Sequence, residues 1–250
     1  MIALEGQTAL VTGGSRGIGR AVAVLLARAG ADVALTYHTR AAEAEAVARE
    51  VGALGRRAYV AGGDLASREV VDRLMAGVRR EFGRLDIFVA NAGIWPAESV
   101  SLGGMSSERW RGTVAANLDA VFFSTRGALK LMGPGGRIVL VSSTAGQRGE
   151  AGHADYAATK GALISLTKSL AIECAPHINV NCLAPGWVDT EMSAPAFTDE
   201  GRERVRLGIP LLRIPPAEDI AGPILFLCSQ LARHITGEVL NVNGGSVLCG

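Results

Sequence analysis

The sequence predicts an α/β fold, one parallel sheet covered by helices on both faces, and three features carry that expectation. Short apolar runs, such as those over 8–11 and 87–90, lack the in–out alternation of a half-solvated strand. Segments of 10 to 20 residues with helical spacing of apolar positions separate them. The runs end in glycine or small polar residues, as at Thr12-Gly13-Gly14 and Asn91-Ala92-Gly93, where the chain turns into its next element.

The strand over 8–11 leads into Gly13-Gly14-Ser15-Arg16-Gly17-Ile18-Gly19, and a helix follows over 21–29 with Val22, Val24, Leu25 and Leu26 as its apolar face. Strand, glycine turn, helix is the context of a phosphate-binding loop. Glycines admit a pyrophosphate close to the backbone, and the helix N-terminus offers unpaired N–H groups with partial positive charge. The spacing differs from Gly-x-Gly-x-x-Gly, so a plain glycine turn is the other reading. A second strand over 32–36 ends in Tyr37-His38-Thr39-Arg40, with no carboxylate before Glu43. An acid there would accept from the 2′-hydroxyl of NAD, whereas an arginine suits the 2′-phosphate of NADP. Arg40 and Arg16 therefore favour NADP(H), with NAD(H) the alternative; both arginines also read as solvated cations at helix starts.

A charged helix over 41–51 and a strand over 57–61 follow, closing at Gly62-Gly63-Asp64-Leu65. Asp64 could accept from an adenine amino group or cap the helix expected over 67–82. The fourth strand, 87–90, runs into Asn91-Ala92-Gly93. One long helix is expected over 106–132, carrying Trp110, Val114, Leu118, Val121 and Phe122. Asn117 lies in its middle, where asparagine is a mediocre helix former, and a structural hydrogen bond is the simplest reason for it. Gly133-Pro134-Gly135-Gly136 stops that helix, and a strand over 137–141 delivers Ser142, Ser143 and Thr144 at its carboxyl end, where open α/β sheets place ligands.

A polar loop over 147–155 leads to a helix from Tyr156 to about 175. On it, Tyr156 and Lys160 share a face with Cβ atoms roughly 5–6 Å apart. A free phenol, with a pKa of about 10, is a poor acid or base at neutral pH. A cation at about 4 Å is worth up to ~4 kcal/mol at an effective dielectric of ~20 and favours the phenolate. The pair is also what an ordinary amphipathic helix contains. A strand over 178–183 opens into Ala184-Pro185-Gly186. Residues 187–214 show no strong period and read as a lid, before a helix over 217–229 and a strand over 238–242.

Composition narrows the function classes. A length of 250 residues and 48% hydrophobic content suit one domain spanning 1–250. The net charge of +1, from 25 basic and 24 acidic residues, provides no field for a nucleic acid. Cys174, Cys182, Cys228 and Cys249 have no paired spacing, and the histidines are scattered, so no metal site is expected. No signal-like N-terminus and no apolar run of ~20 residues is present, which points to a soluble cytoplasmic protein.

The chain resembles the short-chain dehydrogenase/reductases over nearly its full length. The matching residues are Thr12-Gly13-x-x-x-Gly17-x-Gly19, Asn91-Ala92-Gly93, Asn117, Ser143, Tyr156-x-x-x-Lys160, Pro185-Gly186-x-x-x-Thr190 and Asn243-Gly244-Gly245. The interval of 13 residues between Ser143 and Tyr156 is the family's usual one and selects Ser143 over Ser142. The resemblance implies a single Rossmann-type, doubly wound parallel sheet of seven strands, usually in a homotetramer. A nicotinamide cofactor would lie across the strand ends, against Gly13, Ser15, Arg16, Gly17, Ile18 and Gly19. It would also meet Tyr37, His38, Arg40, Asp64, Leu65, Asn91, Ala92 and Gly93, then Tyr156, Lys160, Pro185, Gly186, Val188 and Thr190.

By the same resemblance Tyr156 is the proton donor to a carbonyl and Ser143 binds the same oxygen. Lys160 holds the ribose and lowers the Tyr156 pKa, Asn117 bends its helix and holds a water, and Thr190 meets the carboxamide. The chain looks like the 3-oxoacyl-carrier-protein reductase branch, with Ile209-Pro210-Leu211, Arg213 and Ala217-Glu218-Asp219-Ile220. Where that branch carries basic residues to meet its acidic partner, this chain has Gly133-Pro134-Gly135 and Pro176-His177. Trp95-Pro96 adds a bulky group near the pocket. A sugar, polyol or other small ketone is the alternative substrate, and a non-catalytic NADP sensor is the alternative from another class.

Overall fold

The computed structural model describes residues 2–249, so the expected domain limits at 1 and 250 fall outside the described residues. Seven parallel strands form one sheet in the order β3-β2-β1-β4-β5-β6-β7. They are β1 (Thr8–Val11), β2 (Asp32–Tyr37), β3 (Ala58–Gly62), β4 (Leu85–Ala90), β5 (Met132–Val141), β6 (Ile178–Pro185) and β7 (Val239–Val242). The strand order reverses between β1 and β4, the switch point outside which open α/β sheets bind ligands.

Burial on both faces explains the uninterrupted apolar runs. On β4, Ile87 and Val89 face one core and Phe88 and Ala90 the other; on β5, Val139 and Val141 oppose Ile138 and Leu140 in the same way. The first core is completed by α1 (Gly17–Arg28), α2 (Ala41–Ala53) and α9 (Ala217–Leu227). The second is completed by α3 (Arg68–Phe82), α5 (Ala120–Leu129) and α7 (Ala154–Glu173).

Several boundaries depart from expectation. The helix expected over 106–132 is α4 (Ser107–Val114), a π-helical turn at Ala115–Asp119, and α5. The Ala120 N–H reaches back to the Ala115 carbonyl, so one extra residue is accommodated at Asn117. The chain leaves the helix at Lys130, and β5 begins at Met132, because an irregularity between Leu85 and Ile87 lets Met132 pair with Leu85 despite Pro134. Helix α1 starts at Gly17 rather than Ala21. The loop expected over 147–155 is entered by a short helix, α6 (Thr144–Arg148), and the segment 187–214 contains α8 (Asp199–Leu207). Ser143 and Thr198 cap these two helices through Ala145 N–H and Gly201 N–H, so side-chain caps and not apolar periodicity define them.

Candidate active site

Two adjoining cavities open along the carboxyl ends of the strands. The larger, about 330 Å³, runs from the glycine loop to the end of β2; the smaller, about 130 Å³, lies over Ser143 and Tyr156. Ile18, Asn91, Gly93, Ile94, Thr190 and Met192 border both, so they form one continuous cleft.

The glycine loop is held from two sides. Thr12 Oγ1 accepts from the Asn91 and Ala92 N–H groups at 3.0 Å each, and Asn91 Nδ2 donates to the Thr12 carbonyl at 3.0 Å. From β2, Thr36 Oγ1 accepts from Gly13 N–H at 3.1 Å. Gly13 has φ +66°, and a Cβ there would meet Ala92 Cα at 3.0 Å. Helix α1 begins with no side-chain cap and no acid in its first turn, which leaves its first N–H groups for an anion.

Ser15, Arg16, Gly17, Tyr37, His38, Arg40, Asp64, Leu65 and Ala92 line the larger cavity. Pro185, Gly186 and Val188 line the smaller one. This cleft fits a dinucleotide. Gly19 is the exception among the expected contacts: it lies off the cleft, and a Cβ on it would stand 2.1 Å from the Gly13 carbonyl, so it serves close packing of loop on helix. Asp64 does not cap α3. Its Oδ1 accepts from Ala66 N–H at 2.9 Å, while Ser67 is the cap.

Around the smaller cavity the expected reactive residues converge. Ser142 Oγ donates to the Lys160 carbonyl at 2.7 Å and is thereby committed to holding α7. Ser143 Oγ accepts from Ala145 N–H at 3.1 Å and lines the smaller cavity together with Tyr156. Lys160 Nζ donates to the Val141 carbonyl at 2.8 Å and sits 5.7 Å from the Tyr156 ring centroid. Asn117 is fully buried. Its Oδ1 accepts from Ile94 N–H at 2.7 Å, and its Nδ2 donates to the Ile94 carbonyl at 3.0 Å. A Cβ on Gly93 would meet Asn117 Oδ1 at 3.0 Å and Lys160 Nζ at 3.5 Å, so the glycine lets Asn117 sit close to the backbone beside Lys160.

Electrostatics revise one expectation. Burial pushes the Tyr156 phenol up to about 12, against a lowering by the Ser143 hydrogen bond, and Lys160 is not what shifts it. Burial brings Lys160 down to about 8. Among protein groups, desolvation outweighs the attraction expected between the pair. The phenol is thus held protonated, the form a proton donor requires.

Contributors without a motif complete the walls. Trp95 stacks on His153 with centroids 3.9 Å apart and planes 16° apart, and meets the Tyr156 ring edge-on at 4.7 Å. Trp187 lies 6.1 Å from Trp95 and 5.7 Å from Phe197. Glu191 lies in the larger cavity and pairs with Arg16 at 2.6 Å. The proximity of His153 to Tyr156 and of Glu191 to Thr190 in the chain was the available signal.

Comparison with known proteins agrees with this geometry. Residues 13–246 match a family model described as enoyl-(acyl carrier protein) reductase. The 3-oxoacyl-[acyl-carrier-protein] reductase FabG of Aquifex aeolicus is 41% identical over 248 residues, 98% of each chain. FabG of Escherichia coli is 41% identical over 244 residues, 96% of this chain and 97% of the other. A short-chain dehydrogenase from Burkholderia cenocepacia, solved in complex with NADP, superposes with a TM-score of 0.92 at 40% identity, covering 97% of this chain and 98% of that one. A Brucella melitensis structure described as a short-chain dehydrogenase/reductase, glucose/ribitol dehydrogenase, gives 0.94 at 34% identity and covers 99% of both chains. With the motifs, the sheet order and the site in agreement with these relatives, the chain belongs to the short-chain dehydrogenase/reductase family of oxidoreductases.

Proposed function

We propose that this protein is an NADPH-dependent reductase of 3-oxoacyl thioesters, with Tyr156 as proton donor. The observation that carries the reading is the convergence of Ser143, Lys160 and the buried Tyr156 on the smaller cavity, which adjoins the larger one. When bound, NADPH supplies the hydride, and the chain supplies orientation and proton handling. Gly13, Ser15, Gly17 and the α1 N-terminus hold the pyrophosphate, Arg16 and Arg40 the 2′-phosphate, and Thr190 the carboxamide. Ser143 donates to the carbonyl oxygen as charge develops there, and Tyr156 delivers the proton to it. Lys160 orients the nicotinamide ribose, and Asn117 fixes the loop beside it.

The matched family model names an enoyl reductase and the FabG relatives a 3-oxoacyl reductase. Two oxygen-bound protons converging on one point suit a carbonyl oxygen, which favours the second. The names of those relatives support acyl carrier protein as the thioester's carrier. Gly133-Pro134-Gly135 at the start of β5 and the Pro176-His177 turn, which pair through Gly135 N–H and the His177 carbonyl at 2.8 Å, bring no lysine or arginine to such a partner. The aromatic walls of Trp95 and Trp187 favour, as a second reading, a small ketone, sugar or polyol.

Residues 187–214 act as the lid in either case, and the working form is a cytoplasmic homotetramer. Exposed Phe122, Ile172 and Leu248 support the assembly as apolar surface to be covered. Among the described residues no helix is long and apolar enough to cross a membrane. Initial rates with NADPH and an acetoacetyl thioester, against rates with small cyclic ketones and polyols, test the substrate. Turnover of the thioester supports the first reading, and turnover confined to the small compounds replaces it with the second.

A further inference from the structure

The end of β2 carries no carboxylate, yet one reaches it from the far side of the cleft. Glu191, which follows Thr190 on the segment leaving β6, places Oε2 2.6 Å from Arg16 Nη1 and 3.6 Å from Arg40 Nη2. The two guanidiniums come from different places, the glycine loop and the turn after β2, and Glu191 bridges them across 175 residues of sequence from Arg16. All three line the larger cavity. Arg40 also holds Glu43 at 3.0 Å, so two cations face two carboxylates and the cluster is neutral.

We propose that Glu191 is an internal anion seated in the 2′-phosphate cradle, which the 2′-phosphate must displace, and that its displacement unlatches the lid. The inference rests on the assignment of NADP(H) above. A phosphomonoester carries about −1.5 to −2 charges at neutral pH. Placed between Arg16 and Arg40 beside Glu191, it would turn a neutral cluster strongly negative, so the carboxylate has to leave. The 2′-hydroxyl of NADH brings no charge and leaves the bridge in place.

Release is transmitted along the chain. Two residues before Glu191, Asp189 is bound by both terminal nitrogens of Arg202 on α8. One residue after it, Met192 lines both the larger cavity and the one over Tyr156. Breaking the Glu191 bridge therefore frees the segment that joins the nucleotide end of the cleft to the lid helix. Glu191 is in this sense a specificity-determining residue that also couples cofactor identity to access at the substrate cavity.

The test is Glu191→Gln, an exposed and nearly isosteric change that leaves the core untouched. Dissociation constants for NADPH, NADH and adenosine 2′,5′-bisphosphate are measured by fluorescence for both proteins at low and at high salt. The variant should bind NADPH and the bisphosphate about two- to fivefold more tightly, the range open to exposed ion pairs, with NADH unchanged. The gain should shrink at high salt as the guanidiniums are screened. Trypsin should nick the lid of the unliganded variant at the rate seen for the wild type with saturating bisphosphate, which lacks the nicotinamide end. An unchanged NADPH to NADH ratio, or weaker NADPH binding by the variant, overturns the inference. If the wild type itself prefers NADH and ignores the bisphosphate, the cofactor assignment fails instead, and the latch fails with it.

Discussion

Arg109 Nε lies 3.1 Å from Asp155 Oδ2, and Asp155 is fully buried immediately before Tyr156. The same carboxylate oxygen accepts from Thr113 Oγ1 at 2.8 Å, while Arg109 also donates to the Glu98 carbonyl at 2.7 Å. One guanidinium thus ties helix α4, the loop after β4 and the start of α7 together. Removing one partner of a buried pair leaves an uncompensated charge and costs about 3–5 kcal/mol. Arg109→Leu should lower stability by that amount and reduce kcat, with urea unfolding and initial rates as the measurements.

The acid side of stability follows from the same carboxylate. Burial alone would raise the Asp155 pKa, but hydrogen bonds from Arg109, Thr113 and the Tyr156 N–H together hold it below the ordinary range. With the folded value below the unfolded one, its contribution is fully present above about pH 4 and is lost as pH falls through the folded value. The stability difference between the wild type and Asp155→Asn should therefore narrow below about pH 4. A gap that stays constant in acid unfolding would show that Asp155 is not titrating as described.

If Lys160 acts on the cofactor ribose as proposed, it should set the alkaline limit of turnover. Burial has brought it down to about 8, whereas Tyr156, pushed up to about 12, keeps its proton through the working range. The kcat/KM for carbonyl reduction should be flat below about pH 7 and fall above it with a midpoint near 8, as the Lys160 ammonium is lost. A profile flat to pH 9 contradicts this assignment.

Tyr156→Phe removes the proton donor and keeps the ring that meets Trp95. Turnover should drop by about 10²–10⁴-fold, the usual worth of a general acid, while NADPH affinity stays within about twofold. Retained activity would remove Tyr156 from the mechanism and revive the non-catalytic sensor.

Gly19→Ala tests the packing role of that glycine. Its Cβ would stand 2.1 Å from the Gly13 carbonyl, so the loop has to shift. A cost of about 1–3 kcal/mol in stability, with weaker cofactor binding, is expected from thermal melts with and without NADPH.

How much of this was legible in the sequence varies with the force that shapes each part. Strands such as β4 stand out because both faces are buried, and Tyr156 with Lys160 is a local pair on one helix. The π-turn at Asn117 is invisible to periodicity, since one extra residue barely disturbs an apolar stripe already broken by polar positions. Helices α6 and α8 lack an apolar pattern and show themselves only by their caps. Thr198 before Asp199 and Glu200 was a readable signal, and Ser143 was read for its chemistry alone. Glu191 is brought to Arg16 and Arg40 by topology, which no local pattern encodes.

Ser143 spends one lone pair on the Ala145 N–H that starts α6. The hydroxyl keeps its proton and a second lone pair for the cavity that it lines with Tyr156. A single oxygen atom thus answers to folding and to chemistry at once, which narrows the substitutions that drift can explore at this position. Threonine preserves both duties in principle, alanine surrenders both together, and a larger polar side chain would satisfy neither.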